Sequence, residues 1–145
     1  MTLIADNGRL TINLKRSSED DIVLTLGVET SDLRRVFHGS THGMQVGNVY
    51  LETIGRAFSK CADYASASFG ASYYAEPSGR NIPCSLYLSM DWLNIVMRRG
   101  HKDRILLDFF VRSADEGVFS YFGLRTTSTS LSEFGGELLS ALTVE

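Results

Sequence analysis

The chain has 145 residues, of which 43% are hydrophobic and 21% charged, and its formal net charge is −3. These proportions exclude an intrinsically disordered chain, which would combine low hydrophobicity with a high net charge. They also argue against a general nucleic-acid binder, since such a protein needs a basic surface to displace phosphate counterions. We therefore expect one globular domain over residues 1–145, with no nucleic acid among its partners.

The two cysteines, Cys61 and Cys84, lack the paired spacing of a zinc site and are too few for a disulfide scaffold. Both are expected to be small buried residues of a protein in a reducing compartment. The sequence shows no charged-then-apolar signal at its start and no apolar run of about 18 residues. These features predict a cytoplasmic protein that has no contact with a membrane.

Two segments near the N-terminus predict an antiparallel hairpin. Leu10–Arg16 and Asp21–Glu29 both carry apolar residues at every second position, and a short polar turn separates them. The next segment, Thr30–Gln45, fits either a short helical turn or an irregular edge strand. Within it, glycines follow both His38 and His42, and this composition predicts a loop.

The middle of the chain predicts one helix, one loop and one strand. Apolar residues three or four positions apart indicate a helix over Val46–Tyr64, the composition of Ala65–Pro83 indicates a loop, and Cys84–Met90 alternates as a strand. In Met90–Arg99 the apolar residues change to the opposite parity. A short helix or a bulged strand fits this change, and the β-branched and aromatic content favours the bulged strand.

A second hairpin is predicted from the alternating segments Arg104–Arg112 and Val118–Arg125. Because runs of strands outnumber the helices, we expect an α+β fold rather than a parallel α/β fold. The expected architecture is a single antiparallel sheet of five or six strands. The C-terminal helix should pack on one face, and the middle helix beside it or on the other face.

The C-terminal helix is predicted over Ser130–Leu142 from its apolar stripe. Ser130 and Glu133 have the spacing of a capping box, in which each side chain satisfies a backbone amide of the other residue. The pair Gly135-Gly136 lies inside this helix and lowers its intrinsic propensity. We expect the pair to permit a close approach to the sheet or to mark a kink.

The leading functional hypothesis is a protein-binding module without enzymatic activity. A small, acidic chain with few motifs fits a specific inhibitor, such as an immunity protein that neutralises a toxin or an anti-defence inhibitor. Phe110 has the opposite parity to Phe109, so it belongs either to an exposed apolar interface or under a second layer such as the middle helix. Carboxylates at predicted turns would meet a basic partner: Glu19, Asp20, Asp21, Asp115 and Glu116.

A small-molecule-binding or enzymatic domain is the alternative hypothesis, with a site around His38, His42 and Arg125. Arg125 precedes a hydroxyl-rich segment and a helix start, where an anion would be stabilised. The glycines beside the two histidines argue against a helical metal site, and no metal or cofactor is predicted. A basic run over Arg98–Lys102 fits either a solvated turn or a contact with an acidic group, and a homo-oligomer held by an exposed sheet face is a third hypothesis.

Overall fold

The computed structural model describes residues 1–16, 21–30, 44–61, 72–75, 81–84, 86–89, 93–112 and 119–143. These residues form ten strands and two helices. The elements in chain order are β1 (Thr2–Ala5), β2 (Gly8–Arg16), β3 (Asp21–Thr30), β4 (Met44–Gly47), α1 (Asn48–Ser59), β5 (Ser72–Ala75), β6 (Asn81–Cys84), β7 (Leu86–Ser89), β8 (Leu93–Arg99), β9 (Arg104–Arg112), β10 (Phe119–Thr127) and α2 (Ser128–Thr143).

The described strands form two four-stranded antiparallel sheets and one separate two-stranded pair. The N-terminal sheet has the order β1-β2-β3-β4, the C-terminal sheet has the order β10-β9-β8-β7, and β5 pairs with β6. The α+β class with antiparallel strands is thus confirmed, but the expectation of a single sheet is wrong. The strands that the sequence did not predict have four residues each (β1, β4, β5 and β6), so they offer few positions in which alternation can be recognised.

The two larger sheets meet edge to edge along β1 and β10, a junction that we call the seam. The N–H of Asp6 donates to the carbonyl of Arg125 over 2.7 Å. The side chain of Asn7 accepts from the N–H of Arg125 at 2.9 Å and donates to the carbonyl of Gly123 at 2.8 Å. The contacts advance from Ile4 to Asn7 while their partners on β10 descend from Thr126 to Gly123. The two edges therefore meet in antiparallel orientation.

Both sheets and both helices contribute to one hydrophobic core. Helix α2 packs against β1 and β10, while α1 packs against α2 and β4. Since α2 touches both strands of the seam, the faces of the two sheets that carry core residues lie on the same side. The largest fully buried side chains are Leu3, Leu10, Leu24, Leu51, Phe58, Met97, Ile105, Leu107, Phe109 and Phe122.

The segment predicted as a bulged strand or a short helix contains strand β8, so the helical alternative is wrong. Leu86 lies opposite Met97 and Ser89 lies opposite Asn94, which makes β7 and β8 antiparallel neighbours. The chain therefore reverses direction between them, and this reversal, rather than a bulge, explains the change of parity. The predicted loop over Ala65–Pro83 also contains strand β5 and most of β6.

Helix α2 begins at Ser128, two residues before the predicted start. Its N-cap is Thr127, whose hydroxyl oxygen accepts from the N–H of Ser130 at 3.1 Å. The predicted capping box is wrong because Ser130 occupies the third helical position rather than the cap, and its own hydroxyl accepts from that of Thr127 at 3.0 Å. Helix α1 starts at Asn48, since Val46 belongs to β4.

The prediction for the glycine pair is correct about a close approach and wrong about the element that is approached. Gly135 provides a close approach, but to helix α1 rather than to a sheet, because a Cβ there would lie 2.7 Å from the carbonyl oxygen of Gly55. A Cβ on Gly136 would meet no atom within 4 Å. Only the first glycine of the pair is therefore required by packing.

Candidate functional site

Most of the side chains predicted to bind a partner or a ligand lie outside the described residues: Glu19, Asp20, His38, His42, Asp115 and Glu116. Asp21 opens strand β3, where its backbone lies opposite Gly47 of β4. Phe110 and Arg125 lie on β9 and β10. The grouping of His38 and His42 with Arg125 accordingly stays a prediction.

Phe110 is not part of an exposed apolar patch, because its side chain is only 3% exposed. It has the opposite parity to Phe109, which stacks on Phe122 in the main core with ring centroids 4.6 Å apart. Val96 and Asp108 share the face of Phe110 and are also buried. Of the two interpretations of Phe110, the covered face is therefore correct.

The same covered face holds a charged pair. The Nε atom of Arg98 lies 2.6 Å from Oδ2 of Asp108, and the two side chains are 31% and 3% exposed. A carboxylate removed from water in this way requires a strong partner, since burying an unpaired charge costs several kcal/mol. The guanidinium of Arg98 therefore stabilises the fold by pairing with Asp108.

Beyond the seam, strands β1 and β2 of the N-terminal sheet present an outer face to solvent. Exposed side chains there alternate with core residues along both strands, as expected for an antiparallel sheet with one wet face. Ile4 is 66% exposed, which makes it the one strongly exposed large hydrophobic residue in the described part of the chain. Leu3, its neighbour on the inner face, is 1% exposed.

Charged residues surround Ile4 on both sides. Arg9 lies directly opposite it on β2 and pairs with Glu29 at 2.6 Å. Across the seam, the hydroxyl of Thr126 donates to the carbonyl of Ile4 at 3.3 Å, which brings β10 and its Arg125 beside β1. Arg104 pairs with Asp6 at 2.8 Å. We define the seam surface as the outward-facing side chains of Ile4, Asp6, Arg9, Glu29, Arg104 and Arg125.

Arg125 carries the unbalanced charge of the seam surface. Arg9 and Arg104 each have a carboxylate partner, whereas the guanidinium of Arg125 pairs with no residue in the described ranges and is exposed. Its backbone is held at both ends, because its N–H donates to Asn7 and its carbonyl accepts from Asp6. The seam therefore fixes the backbone of Arg125, while its guanidinium is paired with no described residue.

Sequence reasoning missed Ile4 and the strand that carries it. The signal that was present lies in the turn, since Asp6-Asn7-Gly8 has the composition of a tight hairpin turn, whereas Leu3, Ile4 and Ala5 are consecutive apolar residues. The register with Ala5 opposite Gly8 confirms a two-residue connection. Gly8 has a backbone φ of 155°, a conformation that residues with a side chain rarely adopt.

Metal ligands and reactive thiols are the remaining candidates for chemistry among the described residues. No group of three or more His, Cys, Asp or Glu residues there is arranged to hold a metal ion. Cys61 is fully buried and donates its thiol hydrogen to the carbonyl of Ser128 at 3.2 Å, which is the environment of a structural cysteine. None of the described helices has the length and apolar character needed to cross a membrane.

Comparison with known proteins indicates neither a family nor a function for this chain. No protein-family model, no curated protein and no solved structure matches this chain.

Proposed function

We propose that this protein is a small protein-binding module that presents the seam surface to one specific partner. The observation that carries the proposal is the position of Ile4, 66% exposed on an open sheet face with arginines on both sides. A single exposed apolar residue is common on protein surfaces. What distinguishes this one is its position beside arginine, a residue type that is enriched at the energetic centres of protein interfaces.

The geometry of this surface suits rigid recognition. Ile4 lies on a strand that pairs with β2 in the sheet, and its carbonyl accepts a hydrogen bond from the hydroxyl of Thr126 on β10. Few degrees of freedom are therefore lost when a partner docks, and less of the interaction free energy is spent on ordering the surface. The sheet presents Ile4 and the arginines in a fixed arrangement.

The finer part of the proposal is that the protein inhibits its partner in the cytoplasm, as an immunity protein neutralises a toxin or an anti-defence inhibitor blocks a defence protein. Its 145 residues, its net charge of −3 and its two cysteines fit such a role. Inhibition requires only that the partner be bound tightly at a surface that it needs for its own activity. The proposal assigns no catalytic residue.

Affinity purification from the native host tests the proposal. Tagged wild-type protein should retain one partner at a stoichiometric ratio, and Ile4→Thr should retain much less of it because the apolar contact is lost while the β-branched shape remains. Glu137→Gln is the matched control, since Glu137 is exposed on α2 in the helical layer behind the sheet. Failure to recover any stoichiometric partner would contradict the protein-binding function.

Inhibition has a separate readout. The activity of the captured partner should fall in proportion to added protein and reach its minimum at an equimolar ratio. A captured partner whose activity is unchanged at saturation would refute the inhibitor role while leaving the binding function intact.

A further inference from the structure

We propose that the partner docks an acidic segment on the seam surface, with an apolar side chain against Ile4 and a carboxylate bound by Arg125. This inference rests on the proposed function and adds the chemistry of the partner. It differs from the basic partner expected from the net charge of the chain, because it is drawn from the local charge of one surface.

The ion pairing of the arginines carries the argument. Arg9 pairs with Glu29, and Arg104 pairs with Asp6 at 2.8 Å and with Asp103 at 3.6 Å. Among the described residues, Arg125 is therefore the one arginine of the seam surface that has no carboxylate partner. A surface whose single uncompensated group is a guanidinium attracts a carboxylate, which accepts two parallel hydrogen bonds from it.

The structure also brings together two basic motifs that are far apart in the sequence. Arg98 lies opposite Leu106 on β9, and Leu106 lies opposite Arg125 on β10. The basic run that leads into β9 and the arginine before α2 therefore end in one row across three strands. Because Arg98 is paired with Asp108, the pair adds no net charge to this row, and Arg125 is the arginine in it that is not paired with a described carboxylate.

The apolar and charged contacts are close enough for one short segment to make both. Neighbouring strands lie about 4.8 Å apart, so Ile4 and Arg125 fall within the span of two or three extended residues. An acidic segment that includes a leucine, an isoleucine or a similar side chain would satisfy both contacts. A strongly basic segment would face the guanidinium of Arg125 and would be repelled by it.

Amide chemical shifts measured with a defined peptide test this inference on the intact protein. The probe is a synthetic ten-residue peptide of alternating glutamate and leucine, and its counterpart alternates lysine and leucine. We expect shifts centred on β1 and β10 with the glutamate peptide and none there with the lysine peptide. Arg125→Gln should weaken the glutamate peptide about fivefold, the upper range for one exposed charge pair.

Arg56→Gln is the matched control, since Arg56 is an exposed arginine on α1 whose ion pair with Glu52 spans 3.4 Å. It should leave the peptide affinity unchanged. The inference is overturned if the glutamate peptide causes no shift at the seam, if the lysine peptide binds there equally well, or if Arg125→Gln behaves like Arg56→Gln. A ten-nucleotide oligothymidylate binding the seam as tightly as the peptide would also overturn it in favour of a nucleic acid.

The result separates this inference from the proposed function. If the captured partner is lost with Ile4→Thr but fully retained with Arg125→Gln, the binding function stands and the acidic segment is refuted. A mass that doubles on light scattering with wild-type protein but not with Ile4→Thr would instead assign the seam surface to a second copy of the chain.

Discussion

Gly135 of α2 lies directly against the backbone of α1 at Gly55. A Cβ on Gly135 would come within 2.7 Å of the carbonyl oxygen of Gly55 and within 2.5 Å of the backbone nitrogen of Ser59. Backbone atoms cannot swing aside as the end of a side chain can. The spacing of the two helices, and with it the shape of the core beneath both sheets, therefore depends on the absence of a side chain at this position.

Replacing Gly135 by alanine should destabilise the protein by about 2 kcal/mol, because the overpacking penalty exceeds the gain in helix propensity. Gly136→Ala is the matched control in the same helix, where a Cβ would meet nothing within 4 Å. It should stabilise the protein by about 0.5–1 kcal/mol. Urea denaturation measures both changes, and equal effects of the two substitutions would contradict the close helix contact.

Arg98→Met should destabilise the fold because it leaves the buried carboxylate of Asp108 without its 2.6 Å partner. Breaking a buried pair typically costs about 3–5 kcal/mol, and we expect about 2–3 kcal/mol here since water reaches the guanidinium. Arg56→Met, which removes an exposed pair, should change the free energy of unfolding by less than about 0.5 kcal/mol. Thermal and urea unfolding of the two variants provide the comparison, and similar losses would refute the structural role of Asp108.

The assignment of Thr127 as the N-cap of α2 predicts that Thr127→Ala costs about 1 kcal/mol, since the N–H of Ser130 loses its acceptor. Thr129→Ala makes the same chemical change two residues later, at an exposed position inside the helix. It should be neutral or slightly stabilising because alanine has the higher helix propensity. The assignment fails if Thr129 rather than Thr127 proves to be the sensitive position in equilibrium unfolding.

At the seam, Asn7→Ala removes a side chain that bridges two backbone groups of β10. We expect a loss of about 1–3 kcal/mol, because one donor and one acceptor are left without that partner. Hydrogen exchange gives the sharper readout, since the amide of Arg125 should exchange faster in this variant. Asn13→Ala, at an exposed position of β2, serves as the control, and unchanged protection of the Arg125 amide would rule out the bridge.

The long strands were predictable because their alternation continues over many residues. β2 and β3 pair in one register from Gly8 opposite Thr30 to Arg16 opposite Ile22. Over this length, the alternation of apolar and polar residues remains recognisable even where a single residue departs from it. The unpredicted strands β1, β4, β5 and β6 have four residues each and so carry few positions for such a signal.

The seam was beyond sequence reasoning for a physical reason. Asn7 and Gly123 are separated by 116 positions, and their contact follows from how the two sheets are set side by side. Hydrophobic periodicity determines which face of a strand is buried, but it does not determine which edges meet. For Phe110, the sequence pattern correctly placed the side chain on the opposite face of the strand from Phe109. It did not reveal that this face is covered.

The most direct test of the central claim is the affinity of the captured partner for the Ile4→Thr variant, measured by titration calorimetry beside the variant's own stability. We predict an affinity about tenfold weaker, since burial of an isoleucine side chain contributes about 1.5–3 kcal/mol. The free energy of unfolding should change by less than about 0.5 kcal/mol because the residue is 66% exposed. An unchanged affinity would contradict the assignment of the seam surface as the binding site.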